Sequence, residues 1–175
     1  MPDSRPKTIQ VYLPDGNARS IRIAEITSRT VQATQIPRQK LDLAESRKEP
    51  QRIGVYFLFG ESADERTETL VYIDRAANCF RCISSHHRNT DFWTMAVTIT
   101  SQFQNFTEAH ARQLAYDCIW AAKEAQDFRL KNTQLPNDPR VSEAVLAESE
   151  DNFGTIQELL SVLGFSILDP SPKKE

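Results

Sequence analysis

Apolar and polar positions alternate with period two along much of the first half of the chain, as in half-buried strands. Thr8-Ile9-Gln10-Val11-Tyr12-Leu13 alternates, Pro14-Asp15-Gly16-Asn17 is a turn signal, and Ser20 to Ile26 alternates again. These segments predict a hairpin with one face on a core, and Thr30 to Thr34 extends the pattern to a third strand. Ile36 to Leu41, with Pro37 near its start, predicts a helix entry with proline in the first turn. A charged linker over 43–52 follows. Gly54 to Phe59 and Thr69 to Ile73 are β-prone runs joined by the polar loop Gly60 to Glu68. The spacing then changes: Cys79, Phe80 and Ile83 recur at three-to-four intervals and predict a helix over Ala76 to His87. Phe92 to Thr100 returns to strand. Glu108 to Ala125 is an amphipathic helix, with Thr107 as N-cap and Glu108 at the positive end of its dipole. A proline-containing break at Gln134 to Asp138 leads to a last helix, Ser142 to Leu163, closed by Gly164. The tail Asp169-Pro-Ser-Pro-Lys-Lys-Glu175 reads as frayed.

This order predicts an α/β protein with a small, mainly antiparallel sheet flanked by helices. It divides into a β-rich segment (1–50), a core (51–130) and a C-terminal helix with its tail (131–175). With 175 residues, 39% of them hydrophobic and 26% charged, the chain has the make-up of an ordinary globular protein with a sizeable core. A net charge of −3 means that contact with nucleic acid needs a local basic patch. No apolar run approaches the ~18 residues of a membrane span, and the opening MPDSRPK has no signal-peptide character. Three cysteines, an odd number, favour a reducing compartment over a disulfide framework, so the cytoplasm is expected.

Two short segments carry the chemistry. Gly54-Val55-Tyr56 and Val71-Tyr72-Ile73 each place a tyrosine in an apolar strand, and a helix follows the second. This layout resembles the GIY-YIG nuclease superfamily. The fragment Thr107-Glu108-Ala109-His110-Ala111-Arg112-Gln113-Leu114 resembles a bacterial subgroup of it, and the resemblance spans roughly residues 8 to 165. It implies that Tyr56 and Tyr72 are the two motif tyrosines. Asn78 matches the usual asparagine, and His86 a histidine often found near the end of the first helix. In that family a tyrosine helps to activate water, an arginine contacts the phosphate, and a glutamate holds one divalent ion.

The departures fall on that chemistry. Asp74 stands where the family has glycine, Cys82 where it has its arginine, and Ala115 where it has its metal-binding glutamate. A thiol cannot reproduce a bidentate phosphate contact, and alanine has no oxygen for magnesium. Of the neighbours, Arg81 alone is a candidate substitute, although one helical step turns it ~100° from Cys82. The resemblance therefore implies a degenerate domain, retained for binding nucleic acid, DNA above all, or a protein partner, with no cofactor expected. Two other readings stand beside it. One is an active, divergent endonuclease using magnesium, with Tyr56 or Tyr72 near the water and Arg81 in the arginine's place. The other is an interaction module that binds protein and no nucleic acid.

Several signals have plainer explanations. Cys79-x-x-Cys82 with His86, His87 and Cys118 invites a zinc site, but one helix offers two close ligands and the third would be ~10 Å away, so buried thiols are expected. Arg75, Arg81, Arg88, Arg112 and His86 read as a basic patch or as a solvated face. Phe92 and Trp93 are expected as core anchors rather than stacking platforms for bases. The run Glu143 to Asp151 reads as a solvated helix face.

Overall fold

A computed structural model describes residues 4–63, 68–125 and 128–169. The strands are β1 (Ile9–Tyr12), β2 (Arg22–Ile26), β3 (Val31–Pro37), β4 (Gly54–Glu61), β5 (Thr69–Ala76), β6 (Trp93–Ser101) and β7 (Phe128–Leu130). The helices are α1 (Leu41–Ala44), α2 (Cys79–Asn89), α3 (Glu108–Glu124) and α4 (Glu143–Val162). The strands form one seven-stranded sheet in the order β1-β2-β3-β6-β4-β5-β7. Every pairing is antiparallel except that of β5 with β7. The protein is α/β with a mainly antiparallel sheet, as the alternation predicts. β3 pairs with β6 from Val31↔Ser101 to Pro37↔Met95, so the N-terminal strands and the later hairpin share that sheet.

The pleat sorts side chains onto two faces. Val55, Phe57 and Phe59 of β4 point to the face covered by α3 and α4, among Leu114, Cys118, Ile156 and Leu160. Tyr56 and Leu58 point to the other face, among Leu41 and Ala44 of α1 and Cys79 and Ile83 of α2. The ring of Phe59 stacks on Phe165 with centroids 3.9 Å apart. Full burial of a side chain of this size stabilises by roughly 2–3 kcal/mol. Gly54 is required by close approach: a Cβ there would lie 2.0 Å from the carbonyl oxygen of Ile99.

The elements differ most from the sequence expectation around Pro37, at the start of α2 and at β7. Pro37 ends β3 instead of starting a helix, and a 3-10 turn, Arg38–Lys40, intervenes before α1. A strand end suits proline, which has no N–H to give the ladder. Helix α2 starts at Cys79, not Ala76, because the Asn78 side chain accepts the Arg81 N–H as N-cap while β5 continues to Ala76. β7 was not expected. Asn132, just beyond it, continues that edge: its amide donates to the Ile73 carbonyl and accepts from the Ile73 N–H.

Thr107 caps α3 as expected, in a capping box completed by His110, and Ser142 caps α4. Gly164 closes the last helix with φ +97°. The middle of the expected loop 60–68 and the tail from 170 onward lie outside the described residues. Among the described residues no helix is long and apolar enough to cross a membrane.

Candidate functional site

Tyr56 on β4 and Tyr72 on β5 share the α2 face because each lies at an even step of the pleat and the register pairs Leu58 with Tyr72 and Tyr56 with Asp74. Asp74 therefore joins them, one row along. From above, α2 turns Cys79, Ile83 and His86 towards the sheet. His86 Nε2 shares a hydrogen bond of 3.1 Å with the Tyr56 hydroxyl. Its ring lies 4.8 Å from that of Tyr72, and the two tyrosine rings are 6.2 Å apart. The Tyr72 hydroxyl donates to Asp74 Oδ2 at 3.2 Å, and the Arg75 N–H donates to Oδ1 at 2.8 Å. Tyr56 is buried, whereas Tyr72, Asp74, Cys82 and His86 are half-buried, so the cluster meets solvent on that side.

Arg38 fixes the far end of α2. Its guanidinium donates to the carbonyls of His87, Thr90 and Trp93 and lies 4.6 Å from the Trp93 ring centroid. A cation at a helix C-terminus is favoured by the dipole. This clamp orients the helix turn that carries His86.

Electrostatics follow from burial with one carboxylate nearby. Desolvation first, then the charge of Asp74, raises the Tyr56 pKa well beyond the ordinary phenol range. The same two causes push Tyr72 up to about 12. Burial and Asp74 also raise the Cys82 thiol. His86 moves down because desolvation outweighs the attraction of Asp74. At neutral pH the cluster therefore presents two protonated phenols, a neutral imidazole and a thiol around the Asp74 side chain.

The other candidates lie elsewhere. Arg81 is exposed on the opposite side of α2, over a shallow groove with Leu41 and Asp42 of α1 and Glu45 just beyond it, and does not join the tyrosines. The 100° helical step to Cys82 accounts for this. Ala115 is buried among Phe57, Ile73 and Ile119, on the α3 face of the sheet. A glutamate at that position would start from the side opposite Tyr56. Asp117, two residues on, accepts from Gln113 at 2.9 Å.

Arg75 points to the α3 side and pairs with Glu108 at 3.4 Å, Arg88 lines the same groove as Arg81, and Arg112 belongs to α3. The five candidate basic residues thus do not converge. Cys79 and Cys118 are buried on opposite faces. No group of three or more His, Cys, Asp or Glu side chains among the described residues is arranged to hold a metal. Trp93 is a core anchor with no exposure, and Phe92 is half-buried beneath the Lys131 ammonium. The run Glu143 to Asp151 is largely exposed, though Glu148 pairs with His110 and Asp151 with Arg29.

Sequence reasoning treated Asp74 only as a departure, yet among the described residues it is the one carboxylate hydrogen-bonded into the cluster. Its place was legible from alternation, since Tyr72 and Asp74 are two residues apart on one strand. Thr98, the cross-strand neighbour of Tyr56, was missed; its hydroxyl and those of Thr34 and Thr100 are buried without a hydrogen-bond partner. A wide open groove between Arg5 to Lys7, Arg29 and α4 includes none of the cluster residues. Its lining mixes both charge signs, with Lys7 paired to Glu158 at 3.5 Å. The chemistry argues for the tyrosine cluster over this groove, because in the cluster two phenols, an imidazole, a thiol and Asp74 converge, and burial shifts the pKa values of the first four.

Set against known proteins, the sequence matches no family model, and no curated protein or solved structure matches the chain.

Proposed function

We propose that this chain is a GIY-YIG nuclease-like domain that does not cut nucleic acid and keeps its tyrosine–histidine surface as a binding site for nucleic acid or a protein partner. The observation that carries the reading is the convergence of Tyr56, Tyr72 and His86 on one sheet face. The chain order of β4, β5, α2, β6 and α3 around them supports it.

Cleavage requires an activated water, a cation for the charge that develops on phosphorus and stabilisation of the leaving oxygen. Here the phenols are held protonated, the position of the arginine is a thiol, and Arg81 faces away. The donor set does not fit magnesium either. The ion prefers several oxygen ligands, and the cluster offers one carboxylate beside phenols, a thiol and an imidazole. These features favour binding without cutting over a divergent endonuclease.

The test is incubation of supercoiled plasmid with nuclease-free protein in magnesium or manganese. No nicking is expected from the parent chain. An Asp74→Gly, Cys82→Arg variant is expected to gain salt-sensitive affinity for duplex DNA, because it restores a phosphate contact and removes a repelling charge. Metal-dependent nicking by the parent that disappears in Tyr56→Phe would overturn the proposal.

A further inference from the structure

The cluster's charge has the sign opposite to that needed for a phosphate. Asp74 accepts from the Tyr72 hydroxyl and from the Arg75 N–H, one donor on each carboxylate oxygen, which leaves a second acceptor position on each. Among the described residues no lysine or arginine forms an ion pair with it. Cys82 on α2, where an arginine would have met this carboxylate, is short and half-buried. Around it the rings of Tyr72 and His86, 4.8 Å apart at an interplanar angle of 56°, with Tyr56 behind them, form an aromatic wall. A half-buried carboxylate beside aromatic faces suits one ligand chemistry above others. A planar guanidinium can pair with both carboxylate oxygens and stack on a ring, replacing the arginine that the chain itself lacks at position 82.

We propose that the Tyr56–Tyr72–Asp74–His86 cluster is a receptor for an arginine side chain supplied by a protein partner. The proposal rests on the reading of this surface as a retained binding site and names its occupant. Charge complementarity decides between the classes of partner. A phosphodiester brought against Asp74 would meet a like charge, whereas a guanidinium neutralises it.

The experiment is a titration of the isotopically labelled chain, followed by amide and tyrosine-ring resonances, with N-acetyl-arginine amide. The corresponding lysine and citrulline amides and a short DNA duplex serve as comparison probes. The arginine probe is expected to shift Tyr72, Asp74 and His86 saturably in the millimolar range. Lysine should bind more weakly, and the isosteric but uncharged citrulline should cause no saturable shift. Asp74→Asn is expected to weaken the arginine probe by about tenfold or more, as loss of a charge-assisted pair predicts. Cys82→Arg should abolish binding by supplying the guanidinium from within. Since the parent chain is titrated directly, the proposal does not depend on either variant folding. Shifts at these residues from duplex DNA but not from arginine would overturn the arginine assignment and leave a non-cutting, nucleic-acid-binding domain standing. Equal shifts from citrulline and arginine, or none from any probe, would also overturn it. Plasmid cleavage would instead strike the reading on which the proposal rests.

Discussion

The two faces of the sheet are built to different rules. Under α3 and α4 the side chains are almost entirely apolar, with Phe57, Phe59, Ile73, Leu114, Ile156 and Leu160 in one continuous cluster. Under α1 and α2 the cluster is smaller, and a row of hydroxyls and a carboxylate crosses it: Thr34, Thr98, Tyr56 and Asp74 are successive cross-strand neighbours. The first face gains stability from area removed from water. The second gives up some of that gain, since three of its threonine hydroxyls are buried unpaired, and holds titratable groups at the surface instead. A substitution should therefore be judged first by the face it falls on. Ala115 lies in the apolar cluster, whereas Cys82 packs on the face that carries the titratable groups.

The sharpest way to break this comparison is to place a carboxylate on the apolar face. Ala115→Glu should destabilise the fold by about 4 kcal/mol, because an unpaired charge would enter the apolar cluster. Cys82→Arg, at a half-buried position near the Asp74 carboxylate, should change stability by less than about 1 kcal/mol. Urea denaturation of the two variants decides it. If Ala115→Glu is as stable as the parent, the α3 face is not sealed.

The next effect concerns how the site strand is held at its edge. Asn132 satisfies both backbone groups of Ile73, adjacent to Tyr72. Asn132→Ala should cost about 1–2 kcal/mol and should speed hydrogen exchange at the Ile73 amide. Unchanged exchange there would mean that the amide contact does not secure β5.

How far the sequence reveals these features depends on whether they are local. Alternation along β4 and β5 puts Tyr56, Tyr72 and Asp74 on a common side, and Thr107 and Ser142 announce their helices through capping chemistry alone. β7 leaves almost no trace: three residues carry too little periodicity, and its pairing is with a strand more than fifty residues earlier. The start of α2 depends on whether Asn78 caps, which composition at Ala76 and Ala77 does not reveal. Assigning Ala115 a role needs to know which face α3 covers, a tertiary fact. The same holds for the basic residues, which are neighbours in sequence maps yet separate on either side of α2 and of the sheet.

A smaller effect sharpens the site itself. Tyr56→Phe keeps the ring in its buried place and removes only the hydroxyl shared with His86. About 1 kcal/mol of stability should be lost, as for a neutral hydrogen bond. The His86 ring resonances should also move, since the hydroxyl is a direct partner of Nε2. A stable variant with unchanged His86 signals would dissolve the link between strand and helix.

The smallest effect is a pH dependence confined to the α2 face. Burial lowers the His86 pKa below its ordinary value of 6.5, with Asp74 opposing the shift. Below about pH 6.5 the unfolded chain therefore takes up a proton before the folded one does. The unfolded state then binds more protons, so stability falls as the pH falls and rises again as it is raised. The loss begins near 6.5 and is complete once the pH is below the lowered folded value. His86→Gln retains a hydrogen-bonding side chain without this titration, and its melting temperature should vary less with pH across that interval. The difference between the two profiles isolates His86 from His87 and His110, which both proteins keep. A His86→Gln profile parallel to that of the parent would mean that solvent, not Tyr56 and the sheet, sets the proton affinity of the imidazole, and that the polar face is more open than its packing indicates.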